Sequence, residues 1–235
     1  MSSTTENYLK TIFAVSETSE SELVGLGELA QTLGVTPGTV TTMMKSLCEA
    51  GLVDYRPRAG VRLTDVGRRQ ALDVVRRHRL IELFLVEVLK LDWADVHEEA
   101  EVLEHVISDR LLGRIDEILG YPTSDPHGDP IPDSSGRLPR AVETTLADIE
   151  PPERVRIVRV EHDETGFLGF LKDAGLVPGT EIELVETNRA AGTVWIALSG
   201  KPTALSLQAA MKLRVERIPA GDPLGAETQP DRKRV

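Results

Sequence analysis

Two histidines and four carboxylates fall within nine residues, His97-Glu-Glu-Ala-Glu-Val-Leu-Glu-His105, and His78 and Glu82 precede them at helical spacing. Imidazole combined with carboxylate is the donor set of a first-row transition-metal site. On a helix advancing about 100° per residue, Glu101, Glu104 and His105 stand at i, i+3 and i+4 and face one ion together. The adjoining Glu98-Glu99 pair reads as a solvated face. His127 and His162 lack well-spaced partners and stay outside the expected site.

The same residues argue against metalloenzymes. A zincin helix needs His-Glu-x-x-His, and Glu101 stands where the second histidine belongs. A ferritin-like di-iron centre needs Glu-x-x-His pairs, but Val102 lies three residues before His105 and Leu85 three after Glu82. The single cysteine, Cys48, excludes an intramolecular disulfide and a multi-cysteine zinc site. It reads as a small helix residue. Binding rather than catalysis is expected, with no organic cofactor.

Periodicity and caps then show which elements must position these groups. Residues 4–16 place Tyr8, Leu9, Ile12 and Phe13 on one helical face. A short helix over Leu26–Leu33 is closed by Gly34. Thr36 and Pro37 open the next helix as N-cap and N1, and Gly51 stops it after Ala50. Helix, glycine turn, helix is the helix-turn-helix pattern. Val53–Thr64 reads as two short strands around a basic Pro/Gly turn, a wing. Thr64-Asp65 caps a long helix running to about Leu91. Its apolar second half, Leu80–Leu89, implies burial on several sides and hence a second chain, a homodimer.

A continuous helix is expected over 96–119, with Ala100, Leu103, Ile107, Leu111 and Ile115 as its apolar stripe. Residues 121–152, rich in Pro, Gly, Asp and Ser, read as a linker. Beyond them Val155–Glu161, Thr180–Glu186, Val194–Leu198 and Leu213–Ile218 read as strands, with turns at Pro178-Gly179 and Gly200–Pro202 and a helical patch at about 164–174. The expected fold class is mainly α with a small C-terminal β-barrel. A winged helix-turn-helix domain covers 1–74 and a helical metal-binding and dimerisation domain 75–140. A linker over 141–152, an SH3-like domain over 153–218 and a disordered tail over 219–235 complete the chain.

The net charge of −11 hides an asymmetry, because residues 40–80 carry Lys45 and eight arginines against Glu49, Asp54, Asp65 and Asp73. A basic DNA-facing module on an acidic body shows this pattern, and so does a solvated charged face. No run of about 18 apolar residues predicts a membrane span. The N-terminus lacks the basic and apolar regions of a signal peptide. A cytoplasmic location with no membrane partner is expected.

Four motifs carry a resemblance: Thr4-Thr-Glu-Asn-Tyr-Leu-Lys-Thr-Ile12, Arg77-His-Arg-Leu-Ile-Glu82, Val96–Asp109 and Gly128-Asp-Pro-Ile-Pro132. In this order they resemble the diphtheria-toxin-repressor / manganese-transport-regulator family of metal-dependent repressors, densely over 4–133 and more loosely over 153–218. The resemblance implies a primary ion held by Asn7, Glu101, Glu104 and His105. It implies an ancillary ion held by His78, Glu82 and His97, with Glu164 of the third domain as a further ligand. Phe167, where some iron-type members have another ligand, cannot bind metal. Alone, His78 would be a surface-helix histidine; Glu82 one turn on and the resemblance bring it into the site.

Iron-responsive members tend to carry cysteine where Glu101 stands, and a carboxylate favours a harder ion, so Mn2+ is expected, with Fe2+ the alternative. Asn7 replaces the usual methionine or aspartate. Lys10 replaces an acidic ligand of the manganese branch, so that branch's two-metal arrangement does not carry over whole.

The mechanism expected is electrostatic. Glu82, Glu101 and Glu104 repel one another until a divalent cation removes the repulsion. With Asn7 in the shell, metal would tie the first helix to the dimerisation helices and space two recognition helices for successive major grooves of double-stranded operator DNA. Repression of metal-uptake genes is the implied output. Thr36, Pro37, Thr39, Thr41 and Thr42 would meet base edges and phosphates, and Arg56, Arg58 and Arg62 the backbone or minor groove at the wing. The same threonines would also suit a winged helix that binds protein. Few long donors sit on the helix, which points to indirect readout. The rival is a winged-helix regulator gated by an organic ligand or oxidation, whose DNA binding would survive alanine at Glu104 and His105.

Overall fold

The computed structural model describes residues 1–19, 21–161 and 165–219. Ser2 accepts a hydrogen bond from the Thr5 amide and caps α1 (Ser3–Thr18), whose Tyr8, Leu9, Ile12 and Phe13 are buried. After α2 (Leu26–Thr32) the chain turns at Gly34, where φ is +64°, a conformation a β-carbon would strain. Thr36 accepts from the Thr39 amide and caps α3 (Pro37–Glu49). The hairpin β1 (Val53–Arg56) and β2 (Gly60–Leu63) pairs antiparallel, Val53 opposite Leu63. Leu9, Ile12, Leu29, Val40, Met44 and Val61 are wholly buried in one core shared by these elements. Each such side chain stabilises the fold by about 1.5–3 kcal/mol, so the winged helix has its own anchor.

Thr64 caps α4 (Asp65–Glu87), which ends short of Leu91. The apolar run divides: Leu80, Ile81 and Leu85 are buried, whereas Val88, Leu89 and Leu91 are exposed in the single chain. The continuous helix expected over 96–119 is two helices, α5 (Val96–Leu103) and α6 (Asp109–Ile118). Ser108 accepts from the Leu111 amide and Asp109 lies in the first turn, so a local cap outweighs the apolar periodicity. The expected stripe is broken accordingly. Ala100 and Ile115 are buried, and Leu103 and Leu111 are exposed.

The stretch after α6 is not a linker from its start, because residues 121–132 pack on α4. Ile131 is buried, and Arg76 and Arg79 of α4 donate to the carbonyls of Pro132 and Pro130 at 2.6 and 2.5 Å. Composition marks this backbone as irregular but does not show that arginines satisfy it.

The described residues divide into two compact units, Met1–Ala141 with residues 165–170, and Val142–Glu161 with residues 171–219. In the second, a 3-10 turn at Leu146–Asp148 precedes β3 (Glu153–Val160); α7 (Thr165–Asp173), next in sequence, is divided between the units at Phe170 and Leu171. Then come β4 (Glu181–Asn188), β5 (Thr193–Leu198), β6 (Lys201–Ser206), α8 (Leu207–Met211) and β7 (Leu213–Arg217). The order β6-β5-β4-β3-β7 is a five-stranded antiparallel sheet of SH3-like type around Val155, Ile157, Leu184, Ile196 and Leu213. Of the expected turn Gly200–Pro202, Lys201 and Pro202 already belong to β6; Pro202 is tolerated because β6 is an edge. Glu164 and His162 lie outside the described residues, as does the expected tail from Ala220 on. Among the described residues no helix is long and apolar enough to cross a membrane.

Candidate metal centre

On α4, His78 and Glu82 sit one turn apart and are both buried. His78 Nε2 lies 3.0 Å from Glu82 Oε1 and 3.1 Å from His97 Nδ1, and His97 Nδ1 is 3.2 Å from the same Glu82 oxygen. Glu101, one turn after His97 on α5, brings Oε1 to 3.5 Å from His97 Nε2. The other edge of the His78 ring meets Glu104 Oε2 at 2.5 Å. His78 therefore joins the α4 cluster to Glu104.

Because α5 ends at Leu103, Glu104 and His105 lie in the turn that follows it. Glu104 is wholly buried, with Oε1 3.5 Å from His105 Nε2. His105 reaches α1, where its Nδ1 hydrogen-bonds Glu6 Oε2 at 2.6 Å. Arg77 links the same pieces, donating to the Glu104 carbonyl at 2.9 Å and to Glu6 Oε1 at 3.3 Å. Lys10 of α1 points its ammonium at Glu101 and Glu104.

Charge and burial oppose one another here. Burial would pull the His78 pKa down, but hydrogen bonds to Glu104 and Glu82 and the charge of Glu82 raise it to about 9. Burial would raise Glu82, yet hydrogen bonds with His78 and His97 hold it well below the usual carboxylate range. Glu101 is likewise lowered against its burial, by the Lys10 ammonium.

These residues fit a divalent ion. Asn7 Oδ1 and His105 Nε2 are buried atoms without a hydrogen-bond partner among the described residues. A carboxylate on one imidazole nitrogen with the other nitrogen left as a donor atom is how metal-ligating histidines are oriented. Ligands about 2.0–2.2 Å from a shared ion lie about 3–3.5 Å from each other, the spacing seen between Glu104 and His105 and within His78, Glu82 and His97.

His127, whose spacing leaves it outside the expected site, and Asp125, which no motif singles out, lie beside Glu82. With Glu82 they place three potential ligand atoms within 4.8 Å of one another, all on buried residues. His127 Nε2 is 2.9 Å from the Trp93 carbonyl, and Asp125 Oδ1 accepts from the amides of His127 and Asp129 at 2.8 and 2.9 Å. Burial, Asp129 and Glu82 push the Asp125 pKa well above the usual range, against the pull of Arg79. The only signal for this cluster in the sequence is Asp-x-His within a Pro/Gly turn. Glu6 and Arg77 lie within the sequence motifs, but only the fold brings them to His105 and to the Glu104 carbonyl.

Thr36, Pro37, Thr39 and Thr42 are exposed at the head of α3, and Thr41 is half-buried. The hydroxyls of Thr41 and Thr42 donate to the carbonyls of Pro37 and Gly38 at 2.8 and 3.1 Å, leaving them free to accept. Arg56 and Arg58 are exposed on the hairpin. Arg62 is held instead by Asp54 at 3.0 Å and by Glu22.

A winged helix joined to a buried histidine–carboxylate cluster defines a class, the metal-gated DNA-binding regulators. Residues 1–61 match the family described as iron-dependent repressor, N-terminal DNA-binding domain, and 64–133 its metal-binding and dimerisation domain. Residues 144–217 match the FeoA domain. The iron-dependent repressor IdeR of Mycobacterium leprae is 32% identical, across 92% of this chain and 97% of that protein. The diphtheria toxin repressor of Corynebacterium efficiens is 34% identical, across 92% and 96%. A solved structure of a manganese-dependent transcriptional repressor in complex with manganese has a TM-score of 0.82 at 37% identity, covering 91% of this chain and all of that one. This chain belongs to the diphtheria-toxin-repressor family of metal-dependent transcriptional repressors, which are DNA-binding proteins and not enzymes.

Proposed function

We propose that the chain is a Mn2+-activated repressor that acts as a homodimer on double-stranded operator DNA, in the cytoplasm, and controls metal-uptake genes. The observation carrying this reading is the donor set: the groups gathered by α1, α4 and α5 are oxygens and imidazole nitrogens, while the chain's one thiol, Cys48, is exposed on α3. Oxygen-rich sites favour harder ions. Asn7, Glu101, Glu104 and His105 would hold a primary ion. His78, Glu82 and His97 would hold an ancillary one, with Asp125 and His127 beside the second oxygen of Glu82 and Glu164 as a further candidate ligand.

When bound, the ion supplies positive charge between carboxylates that otherwise repel. The chain's own residues carry that signal to DNA. One face of α1 packs Leu9 and Ile12 into the winged-helix core, and Glu6 and Lys10 engage the turn after α5. Fixing α1 therefore fixes the recognition helix, α3, whose exposed threonines would meet bases and phosphates, with Arg56 and Arg58 at the wing. Exposed Val88, Leu89, Val102, Val106 and Ile118 would be covered by a second copy. A second reading, Fe2+ as the activating ion, is supported by the iron-dependent relatives.

Chelator-stripped protein should capture specific genomic fragments only when metal is added, and at a lower free concentration of Mn2+ than of Fe2+ under anaerobic conditions. Capture that ignores metal would remove the sensor, and the reverse ranking would make iron the signal. The His78 shift adds a pH dependence. An imidazolium must lose its proton to ligate, so Mn2+ affinity is expected to rise with pH, by up to about tenfold per unit, until it levels off above about 9, with one proton released per ion at His78 below that pH. In the metal-free protein, the raised pKa stabilises the fold fully below pH 6.5, and that contribution is lost as pH rises through about 9. Calorimetry in buffers of different ionisation enthalpy measures the proton directly; no release would remove His78 from the ligands.

A further inference from the structure

The Lys10 ammonium sits inside a shell of the kind a metal ion takes. Nζ is 2.5 Å from Glu101 Oε1 and 2.8 and 2.9 Å from the two oxygens of Glu104. The Lys10 side chain is 18% exposed and that of Glu104 0%. Beside this position lies a second one that shares Glu104. There Glu104 Oε1 faces His105 Nε2 at 3.5 Å, and His105 Nε2 is a buried atom without a hydrogen-bond partner among the described residues. Two adjoining cation positions thus share one carboxylate, and a side chain of this protein fills one of them.

We propose that Lys10 is a tethered cation of this centre: its ammonium takes the position of a second ion between Glu101 and Glu104, so Glu101 pairs with Lys10 instead of completing the primary shell, and Glu104 and His105, with Asn7, hold a single divalent ion beside it. The inference rests on the metal-responsive reading above. Two consequences follow from charge. The ammonium already neutralises part of the repulsion between Glu101 and Glu104, so α1 is drawn to the turn after α5 before metal arrives. It also repels any ion entering beside it, which raises the free metal concentration needed for occupancy. Lys10 is thereby a residue that sets both the number of ions and the response threshold, without being a ligand.

The test uses the full-length, chelator-stripped protein with Mn2+ as the probe, counting bound ions by equilibrium dialysis and examining them by electron paramagnetic resonance. Lys10→Glu, which replaces the cation by a ligand, should bind one Mn2+ more per chain than the parent and show an exchange-coupled Mn2+ pair. Lys10→Met, which removes the charge at similar length, should bind its Mn2+ about tenfold tighter than the parent. Unchanged counts and affinities in both variants would overturn the proposal. So would a coupled Mn2+ pair in the parent protein, a measurement that needs no variant to fold. A parent protein that binds no Mn2+ would overturn the metal-responsive reading itself, whereas normal binding by the parent with silent variants would remove only the role of Lys10.

Discussion

Glu104→Gln is expected to abolish metal-dependent DNA binding while leaving a folded protein. Its carboxylate is wholly buried and meets three groups at once: the Lys10 ammonium, His78 Nδ1 at 2.5 Å, and His105 Nε2 at 3.5 Å. A carboxamide keeps the shape but loses one acceptor oxygen and the negative charge. Its amino group would face either Lys10 or His78, a donor against a donor. Loss of an orienting neighbour alone typically costs about 10–100-fold in metal affinity, so loss of a shared, charged ligand should cost about a hundredfold or more. The metal-free fold should lose about 1–3 kcal/mol, because Lys10 keeps Glu101 as a partner and His78 keeps Glu82. Fluorescence anisotropy on operator DNA under a Mn2+ titration measures the first effect, and thermal unfolding the second. Glu98→Gln, on the exposed face of α5, is the control and should respond like the parent. A full metal response in Glu104→Gln would take this residue out of the centre.

The second large effect is structural. Gly67, in the first turn of α4, lies against the backbone of Leu52, and a β-carbon there would come within 1.9 Å of the Leu52 carbonyl oxygen. That oxygen also accepts from the Thr64 amide at 3.0 Å, while the Thr64 hydroxyl donates to the Gly51 carbonyl at 2.8 Å. The start of α4 is thus pinned to the turn that ends α3. Backbone cannot yield as a flexible side chain does, so Gly67→Ala must separate α4 from that turn. A loss of about 3 kcal/mol or more is expected, at the upper end for overpacking. Its functional mark should be selective, with the winged helix loosened and residues 78–105 still able to bind metal. Hydrogen exchange resolved by segment, together with Mn2+ titration, would show protection lost around 51–67 but not in α5. A destabilisation under about 1 kcal/mol would mean that this contact is not as tight as the structure places it.

The comparison of sequence with structure is uneven for a physical reason. Thr36-Pro37, Thr64-Asp65, Gly34 and Gly51 mark helix ends by local chemistry, and the helices begin and end there to within a residue or two. Ser108-Asp109 is a signal of the same kind, but the apolar periodicity on either side of it masks the cap. The stretch 121–132 reads as a linker because Pro, Gly and Asp describe only its backbone. Its order comes from Arg76 and Arg79, about 50 residues earlier, whose guanidinium groups occupy its carbonyls.

By itself, the sequence determined the donor types, their one-turn spacings on α4 and α5, the helix-turn-helix and the family motifs. Each of these is set within a few residues of chain, where backbone preference and helical geometry act. Only the tertiary structure decided which donors meet. Glu6 reaches His105 across 99 positions and Lys10 reaches Glu104 across 94, while Asp125 and His127 close on Glu82 through a loop with no periodicity of its own. Such pairings depend on burial that draws distant charges into a low-dielectric space, where each one must find an opposite charge or a metal ion.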